Sequence, residues 1–313
     1  MSWLRSLLLP VEGTDYAGQV DDLYIFITLL SAFFFFLVVG LMTAFIIRYR
    51  RRRQDEITPH ITENFKLEVA WTVIPLLLVI VIFFWGFKGY LDATVPPANA
   101  LEIQVTAKRW LWQFEYPNGT RTINEIHVPV GKPVKLVMSS EDVIHSFFVP
   151  SFRIKMDVLP NRYTDLWFTP TREGVHALLC TEYCGRGHSD MSGKVWVDSE
   201  AKYQDWLEHG DQSAQTMPLK ELGALLYQSR GCATCHSLDG TRGQGPSFKG
   251  VYGHTVTMTG GKAVLADENY LRQSILQPQA QIVEGFQGIM PTFQGLLRER
   301  EILALIEFIK SQK

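Results

Sequence analysis

Two long stretches without a charged residue constrain the first third of the chain. Residues 23–47 contain twenty-five uncharged positions, and residues 69–87 contain nineteen. At a rise of about 1.5 Å per residue, a helix of about 20 residues crosses a hydrocarbon core ~30 Å thick. The sequence therefore predicts transmembrane helices at 23–47 and 69–89, with Pro75 tolerated in a membrane helix supported by its neighbours.

The segment between the spans, residues 48–68, begins with five arginines among its first six residues. Arginines that adjoin a membrane span are retained in the cytoplasm, so residues 1–22 and everything after 89 are expected on the outer side. A nucleic-acid patch and a simple solvated face are the alternatives for such a basic run. The apolar run at 7–9 is too short for a signal-peptide core and leaves cleavage of the N-terminus open.

Beyond the second span, the sequence predicts two further folded domains. Period-two alternation at 101–105, 134–138, 144–149, 165–168 and 194–197, with turn residues between the runs, is typical of an all-β sandwich. We expect a cupredoxin-like domain at 90–209 that closes with a helix at 200–209, and a polar linker at 210–217. Residues 218–313, with helical patterns at 219–229 and 298–310, indicate an all-α domain.

A cluster of soft metal ligands lies between residues 178 and 192, with a lone His145 upstream. Thiolate, thioether and imidazole together select copper. Two cysteines on one loop can bridge a pair of copper ions, with one histidine as the terminal ligand of each, and this arrangement favours one-electron transfer. The alternative is a disulfide, or two small buried residues. The candidate ligands are His145, Cys180, Cys184, His188 and Met191, and Glu182 lies on the same loop.

The other two cysteines form the c-type haem attachment pattern Cys232-Ala233-Thr234-Cys235-His236. Thioether bonds to the two sulfurs would hold the porphyrin, and His236 would be the proximal iron ligand. We expect Met290, just ahead of the last helix, to be the sixth ligand, because histidine–methionine ligation raises the potential of a haem. Met258 and His254 are the alternatives. Helices at both ends of the domain are typical of a class I cytochrome c.

Together these motifs resemble subunit II of haem-copper cytochrome c oxidase, in the caa-type form with a fused C-terminal cytochrome c domain. The resemblance extends over nearly the whole chain. It rests on Glu68–Pro75 in the two-span hairpin, Arg109–Tyr116, His145, the cysteine loop 180–191, and the haem motif with Met290-Pro291.

The resemblance implies a role for each copper-loop residue. Cys180 and Cys184 would bridge the two ions of a CuA centre, His145 and His188 would be terminal ligands, and Met191 a weak ligand. The backbone carbonyl of Glu182 would be a weak ligand of the other copper, and its carboxylate would face a Mg site shared with subunit I.

The resemblance also implies roles for two residues outside the metal motifs. Trp110 matches the aromatic at the electron-entry patch above CuA, and Leu111 stands where a further aromatic is usual, which suits delivery from a tethered haem. The alternative is that Trp110, Trp112, Phe114 and Tyr116 simply alternate along a strand and cover the core. Glu68 matches a glutamate near the entrance of a proton pathway, although it could equally be a solvated interfacial residue.

The implied function is an electron relay from haem c through CuA to haem a of subunit I, where oxygen is reduced to water with proton translocation. Its implied setting is the bacterial cytoplasmic membrane, with both redox domains on the periplasmic side. Subunits I and III are the expected partners. The donor would be a cytochrome c or a quinol-oxidising complex, which could form a supercomplex with the oxidase. The protein is also expected to contact membrane lipid, and no nucleic-acid partner is expected.

Two alternatives differ in class. A nitrous-oxide-reductase-like protein would need a large catalytic domain, for which 313 residues leave no room. A membrane-tethered copper or haem carrier acting alone would need only one span. A quinol oxidase subunit would lack the copper ligands. The chain carries no residue set typical of hydrolysis or group transfer, so oxygen chemistry is expected in subunit I.

Overall fold

A computed structural model describes residues 2–53, 63–210 and 213–313, and residues 55, 57 and 60 between the first two ranges. The chain divides into two compact units, Met1–Val95 and Pro96–Lys313.

The first unit consists of helices α1 (Ser2–Leu8), α2 (Ala17–Arg48) and α3 (Phe65–Thr94). The side-chain oxygen of Asn64 accepts a hydrogen bond from the backbone N–H of Leu67, which caps the start of α3. Both long helices contain the predicted spans, 23–47 and 69–89, and extend beyond them, because the polar residues at their ends continue the helical hydrogen bonding. They are long and apolar enough to span a membrane. Large side chains such as Phe36 and Phe84 lie exposed on them, as lipid or a membrane partner would require.

The second unit begins with a β-sandwich of two five-stranded sheets, in the strand orders β3-β2-β1-β5-β8 and β4-β10-β9-β6-β7. Alternate residues of the strands face the core between the sheets, as in β5, where every second residue is buried. The strands are β1 (Leu101–Lys108), β2 (Leu111–Glu115), β3 (Arg121–Ile123), β4 (Glu125–Pro129), β5 (Val134–Ser140), β6 (His145–Val149), β7 (Ile154–Val158), β8 (Thr164–Phe168), β9 (Gly174–Cys180) and β10 (Ser192–Asp198).

Helix α4 (Glu200–His209) closes the sandwich. Its Trp206 stacks on His127 with ring centroids 4.1 Å apart, and His127 is in turn 2.8 Å from the Asp198 carboxylate. Within the segment predicted as a linker, residues 213–216 form a single helical turn, α5 (Ser213–Thr216).

The rest of the unit is a small helical domain with α6 (Leu219–Ser229), α7 (Glu268–Leu276) and α8 (Glu299–Lys310). A short hairpin of β11 (Thr255–Thr257) and β12 (Ala263–Leu265), which the sequence patterns did not predict, lies between α6 and α7. Helices α6 and α8 pack closely at Gly223, where a Cβ would overlap the carbonyl oxygen of Ala304. The predicted fold class, a helical hairpin with an all-β and an all-α domain, is confirmed.

The close helix contact yields a prediction. Gly223→Ala should lower the free energy of opening of α6 and α8 by about 1–3 kcal/mol, because an added methyl group in a filled contact forces the helices apart. Hydrogen–deuterium exchange of the two helices in the full chain measures this free energy. As a control, Leu225→Ala changes an exposed residue of the same helix and should alter it by less than about 0.5 kcal/mol. Equal effects of the two substitutions would contradict the packing argument.

Candidate metal and haem sites

Three neighbouring strands position the predicted copper ligands. His145 is the first residue of β6, and Cys180 is the last residue of β9, which pairs with β6. The loop 181–191 then returns to β10. The backbone N–H of Cys180 donates to the carbonyl oxygen of Met191 at 3.2 Å, so both ends of the loop are fixed by the sheet.

The sulfur and imidazole groups of this region converge. The two cysteine sulfurs are 3.8 Å apart, Cys180 Sγ is 3.9 Å from His145 Nδ1, and Cys184 Sγ is 3.5 Å from His188 Nδ1. The Sδ atom of Met191 lies 3.8 Å from Cys184 Sγ. Ligand atoms bound at about 2.0–2.3 Å in a tetrahedral arrangement lie about 3.3–3.8 Å from one another, so these spacings suit soft metal ions.

The two cysteines are not joined as a disulfide; both are free thiols and buried. The disulfide alternative is therefore not the arrangement found. Glu182 contributes through its main chain, since its carbonyl oxygen is 3.4 Å from Cys180 Sγ while the residue itself is exposed. The loop thus turns the Glu182 carbonyl towards the sulfur pair and leaves its carboxylate free to meet another group.

His145 is held by a carboxylate that the sequence reasoning missed. The side chain of His145 is completely buried, and its Nε2 is 2.9 Å from Asp142 Oδ1. Asp142 also accepts a hydrogen bond from the backbone N–H of Arg109 at 2.9 Å. Burial opposes ionisation of Asp142, but these hydrogen bonds outweigh it and hold the pKa of the carboxyl well below its usual range. The bond to Asp142 therefore keeps a proton on Nε2, and Nδ1, which faces Cys180, is the nitrogen that a metal can bind in place of a proton.

The sulfur pair is electrostatically asymmetric. Burial disfavours a thiolate at Cys180, but hydrogen bonds from His145 and from backbone N–H groups outweigh it and lower the pKa of Cys180 to about 6. Burial, together with the negative charge of Cys180, raises the pKa of Cys184 to about 12. Two adjacent thiolates are thus unfavourable without a compensating positive charge, which metal ions would supply.

The haem motif forms a tight turn beside an apolar cavity. Residues Cys232–Thr234 make one 3₁₀ turn, and the cavity wall includes Cys232, Cys235, His236 and Met290. His236 Nδ1 donates to the carbonyl oxygen of Pro246 at 2.7 Å, and Phe248 stacks on the imidazole. Burial lowers the pKa of His236, so the imidazole is neutral and its Nε2 is free to bind iron.

These features fit a haem. The cavity is largely apolar, it contains both attachment sulfurs, and its histidine is fixed in the tautomer that leaves Nε2 unprotonated. Met290 lies in the cavity wall, whereas Met258 and His254 are not among the described residues that form it. The backbone around Met290 is fixed by Gln279, whose amide donates to the carbonyl oxygens of Gly288 at 2.8 Å and Met290 at 3.2 Å.

Trp110 lies between the copper loop and the haem cavity. Its indole N–H donates to the carbonyl oxygen of Cys184 at 3.1 Å, and its ring lines the cavity. Gly187 shows how close this contact is, because a Cβ there would be 2.6 Å from the Trp110 ring and 2.7 Å from the Thr234 methyl group. Trp110 is at the same time buried in the sandwich core, together with Trp112, Phe114 and Tyr116.

Glu68 lies in the first turn of α3 in the N-terminal unit, where it is exposed.

The structure gathers the predicted site residues into two places. The six predicted copper-site residues form one cluster, and His236, Met290, Cys232 and Cys235 line one cavity. The signal for Asp142 was an acid three residues before His145, a spacing too common in sequences to single it out.

A sulfur–imidazole cluster in a β-sandwich, next to a c-type haem motif in a helical domain, defines a membrane-anchored electron-transfer protein. Three family models match the chain. They are the transmembrane domain of cytochrome c oxidase subunit II at residues 4–88, its periplasmic domain at 120–197, and cytochrome c at 220–313.

Individual relatives agree with the family models. Cytochrome c oxidase subunit 2 of Alkalihalophilus pseudofirmus is 29% identical over 95% of this chain and 88% of the relative. The alternative cytochrome c oxidase subunit 2 of Bradyrhizobium diazoefficiens is 31% identical over 61% of this chain and 80% of the relative. A crystal structure of the periplasmic domain of cytochrome oxidase subunit II from Bradyrhizobium japonicum aligns with 28% sequence identity and a TM-score of 0.36. The alignment covers 38% of this chain and 99% of that structure's chain.

The chain belongs to the cytochrome c oxidase subunit 2 family, in the form that carries a fused cytochrome c domain. It is thus an electron-transfer subunit of a haem-copper oxidase, anchored in a membrane. Its two redox domains imply binding of copper and of haem c.

The carboxylate behind His145 yields a second prediction. Asp142→Asn should weaken copper binding about 10–100-fold, because the carboxylate orients the imidazole and raises its basicity. Titration of the metal-free full chain against a competing copper chelator measures the affinity. Asp198→Asn is the matched control, since it alters an Asp–His pair away from the cysteine loop, and should leave the affinity unchanged. Equal copper affinities of Asp142→Asn and of the unsubstituted chain would show that Asp142 does not support copper binding.

Proposed function

We propose that this subunit accepts electrons on a covalently bound haem c and passes them, through a binuclear CuA centre, to haem a of subunit I. Oxygen is reduced to water there, coupled to proton translocation. The observation that carries the proposal is the convergence of the two cysteine sulfurs with two imidazole nitrogens, a thioether and a carbonyl oxygen at spacings of 3.4–3.9 Å.

The second thiolate supports a binuclear centre over a single copper. A mononuclear blue-copper site uses one cysteine, two histidines and a weak methionine. Here each cysteine has its own histidine at the far side of the sulfur pair, His145 beside Cys180 and His188 beside Cys184. The two sulfurs can therefore be shared by two ions, each of which would also bind one of the histidines, with Met191 and the Glu182 carbonyl as weak ligands. Copper ions that share two thiolates supply one-electron transfer with little rearrangement.

The haem would be held by Cys232 and Cys235 through thioether bonds, with His236 and Met290 on the iron. The hydrogen bond from Nδ1 to Pro246 keeps the His236 ring in place, and Gly245 lies against that ring with no room for a side chain. Histidine–methionine ligation gives a relatively high potential, which suits the acceptance of electrons from an external carrier.

Two further residues are assigned by their positions. Trp110 contacts the copper loop and the haem cavity at once, which supports a role at electron entry to the copper site. The exposed carboxylate of Glu182 suits a Mg ion shared with subunit I, since oxygen ligands are what Mg²⁺ prefers. Glu68 at the start of α3 is assigned to the entrance of the proton pathway of subunit I, on the family resemblance alone.

The proposed setting is the bacterial cytoplasmic membrane, with α2 and α3 as its two spans. The arginines at 48–53 favour a cytoplasmic position for the loop between them, which puts both termini and both redox domains on the periplasmic side. Subunits I and III are the proposed membrane partners. A soluble cytochrome c or a quinol-oxidising complex, in a supercomplex or by transient contact, is the proposed donor.

Substitution of one cysteine in the β-sandwich and of one in the cytochrome domain tests the two cofactor assignments separately. In the purified oxidase complex, Cys184→Ser should remove the mixed-valence two-copper EPR signal and leave the haem c absorbance intact. Cys235→Ser should keep the copper signal and alter the haem c absorbance, because only one thioether bond can form. An unsubstituted complex without a two-copper signal would refute the central assignment, and loss of both signals in either variant would indicate misfolding.

Substitution of the proposed sixth ligand gives a further prediction. Met290→Leu should lower the reduction potential of haem c and change its absorbance, because leucine has no sulfur to bind iron. Met258→Leu is the matched control and should leave both unchanged, since Met258 packs in the helical core and is not among the described residues of the cavity wall. A spectroelectrochemical titration of the complex measures both. The opposite pattern would assign the ligand to Met258.

A further inference from the structure

The β-sandwich and the cytochrome domain share a polar contact beside the haem cavity, whose wall includes Arg230. It begins at Asn124, the buried residue between β3 and β4, whose φ of +58° lies in the left-handed region that asparagine tolerates. Its Oδ1 accepts a hydrogen bond from the backbone N–H of Trp112 at 2.8 Å. Its Nδ2 donates to the carbonyl oxygen of Ser229, at the end of α6, at 3.3 Å. One amide therefore binds a different domain at each end.

The next residue of the cytochrome domain, Arg230, extends this contact. Its Nη1 donates to the carbonyl oxygen of Ile123 at 2.9 Å and lies 3.7 Å from the Glu125 carboxylate, and both groups belong to the sandwich. Its Nη2 donates to Glu301 of α8 at 3.2 Å. The side chains of Arg230 and Glu301 are only 16% and 14% exposed. A charge so far removed from water is stable only while it stays paired, which ties Arg230 to both domains.

Apolar packing accompanies these hydrogen bonds. Leu111 and Ile123 belong to strands of the sandwich, yet they are buried in the hydrophobic core of the cytochrome domain, with Leu222 and Leu226 of α6. In the opposite direction, Cys235 packs against the core of the sandwich. Each domain thus completes part of the interior of the other. Such interpenetration is typical of a permanent contact, not of a transient encounter.

From these contacts we propose that Asn124 and Arg230 are positioning residues, which hold the cytochrome domain in one orientation with its haem-binding turn against Trp110. The cytochrome domain is then a fixed electron-input port and not a mobile carrier on a linker. Its presence also covers the face of the sandwich at Trp110 and Leu111, so an external donor reaches the copper site only through the cytochrome domain. The docking follows from the contacts alone, while its electron-transfer consequence rests on the function proposed above.

Two substitutions remove the contact in different ways. Asn124→Asp keeps the oxygen that accepts from Trp112 but replaces the donor to Ser229 with a second oxygen, which would place a buried negative charge against the Ser229 carbonyl. Arg230→Gln removes the charge that pairs with Glu125 and Glu301, and Arg230→Lys restores the charge. Arg272→Gln is the matched control, because Arg272 pairs with Glu299 within the cytochrome domain.

Hydrogen–deuterium exchange of the purified oxidase complex is the first measurement. In Asn124→Asp and Arg230→Gln, exchange at residues 109–125 and 229–236 should accelerate about tenfold or more, since a buried polar group left without its partner shifts the docking equilibrium by that order. Arg272→Gln should show no such change in these segments, and Arg230→Lys should recover part of the protection. Unchanged exchange in both test variants would overturn the proposal. Acceleration spread evenly over the whole chain would do so too, because it would make these residues general stabilisers.

The second measurement is electron transfer from photoreduced haem c to copper in the same complexes. Asn124→Asp and Arg230→Gln should show a slow phase that the control lacks, with the copper EPR signal unchanged in both and the haem absorbance unchanged in Asn124→Asp, because Arg230 itself lines the haem cavity. A wild-type transfer rate despite faster exchange would overturn the positioning role. Absence of the copper signal from the unsubstituted complex would instead refute the proposed function, and the exchange measurement would still decide whether the domains are fixed together.

Discussion

The antiparallel pairing of β9 with β10 is the constraint on which the copper site depends. Leu179 lies opposite Ser192 in this pair, and the hydrogen bond between Cys180 and Met191 closes the loop just beyond it. With both ends fixed, the loop brings two sulfurs, an imidazole and a thioether into contact. His145 joins them because β6 is the other neighbour of β9 in the same sheet. The central strand of a sheet and its two neighbours thus hold these ligands together, including two sulfurs that would repel each other as thiolates.

The same constraint explains the uneven titration of the two thiols. Hydrogen bonds from His145, which Asp142 orients, and from the backbone lower the pKa of Cys180, whereas burial and the negative charge of Cys180 raise the pKa of Cys184. Two metal ions would offset the repulsion between the two thiolates.

The sequence predicted best the features that depend on local spacing. The two spans, the haem motif and the copper loop each lie within a short stretch, so composition and ligand chemistry were sufficient to find them. Asp142 was missed because an acid three residues from a histidine is commonplace. The roles of Asn124 and Arg230 could not be predicted, because they depend on contacts between residues more than 100 positions apart. The hairpin of β11 and β12 was missed because three-residue strands carry too few positions to show a period of two.

Leu111 and Ile123 link the stability of the two outer domains. Because these sandwich residues complete the interior of the cytochrome domain, neither domain can unfold without exposing apolar surface of the other. Any ligand that binds only the folded form of one domain stabilises that form by mass action. Insertion of metal into the sandwich should therefore also protect the helical domain from proteolysis, and haem attachment should do the same for the sandwich. Maturation of the subunit then becomes cooperative, and the chain that holds neither cofactor is the form most exposed to degradation.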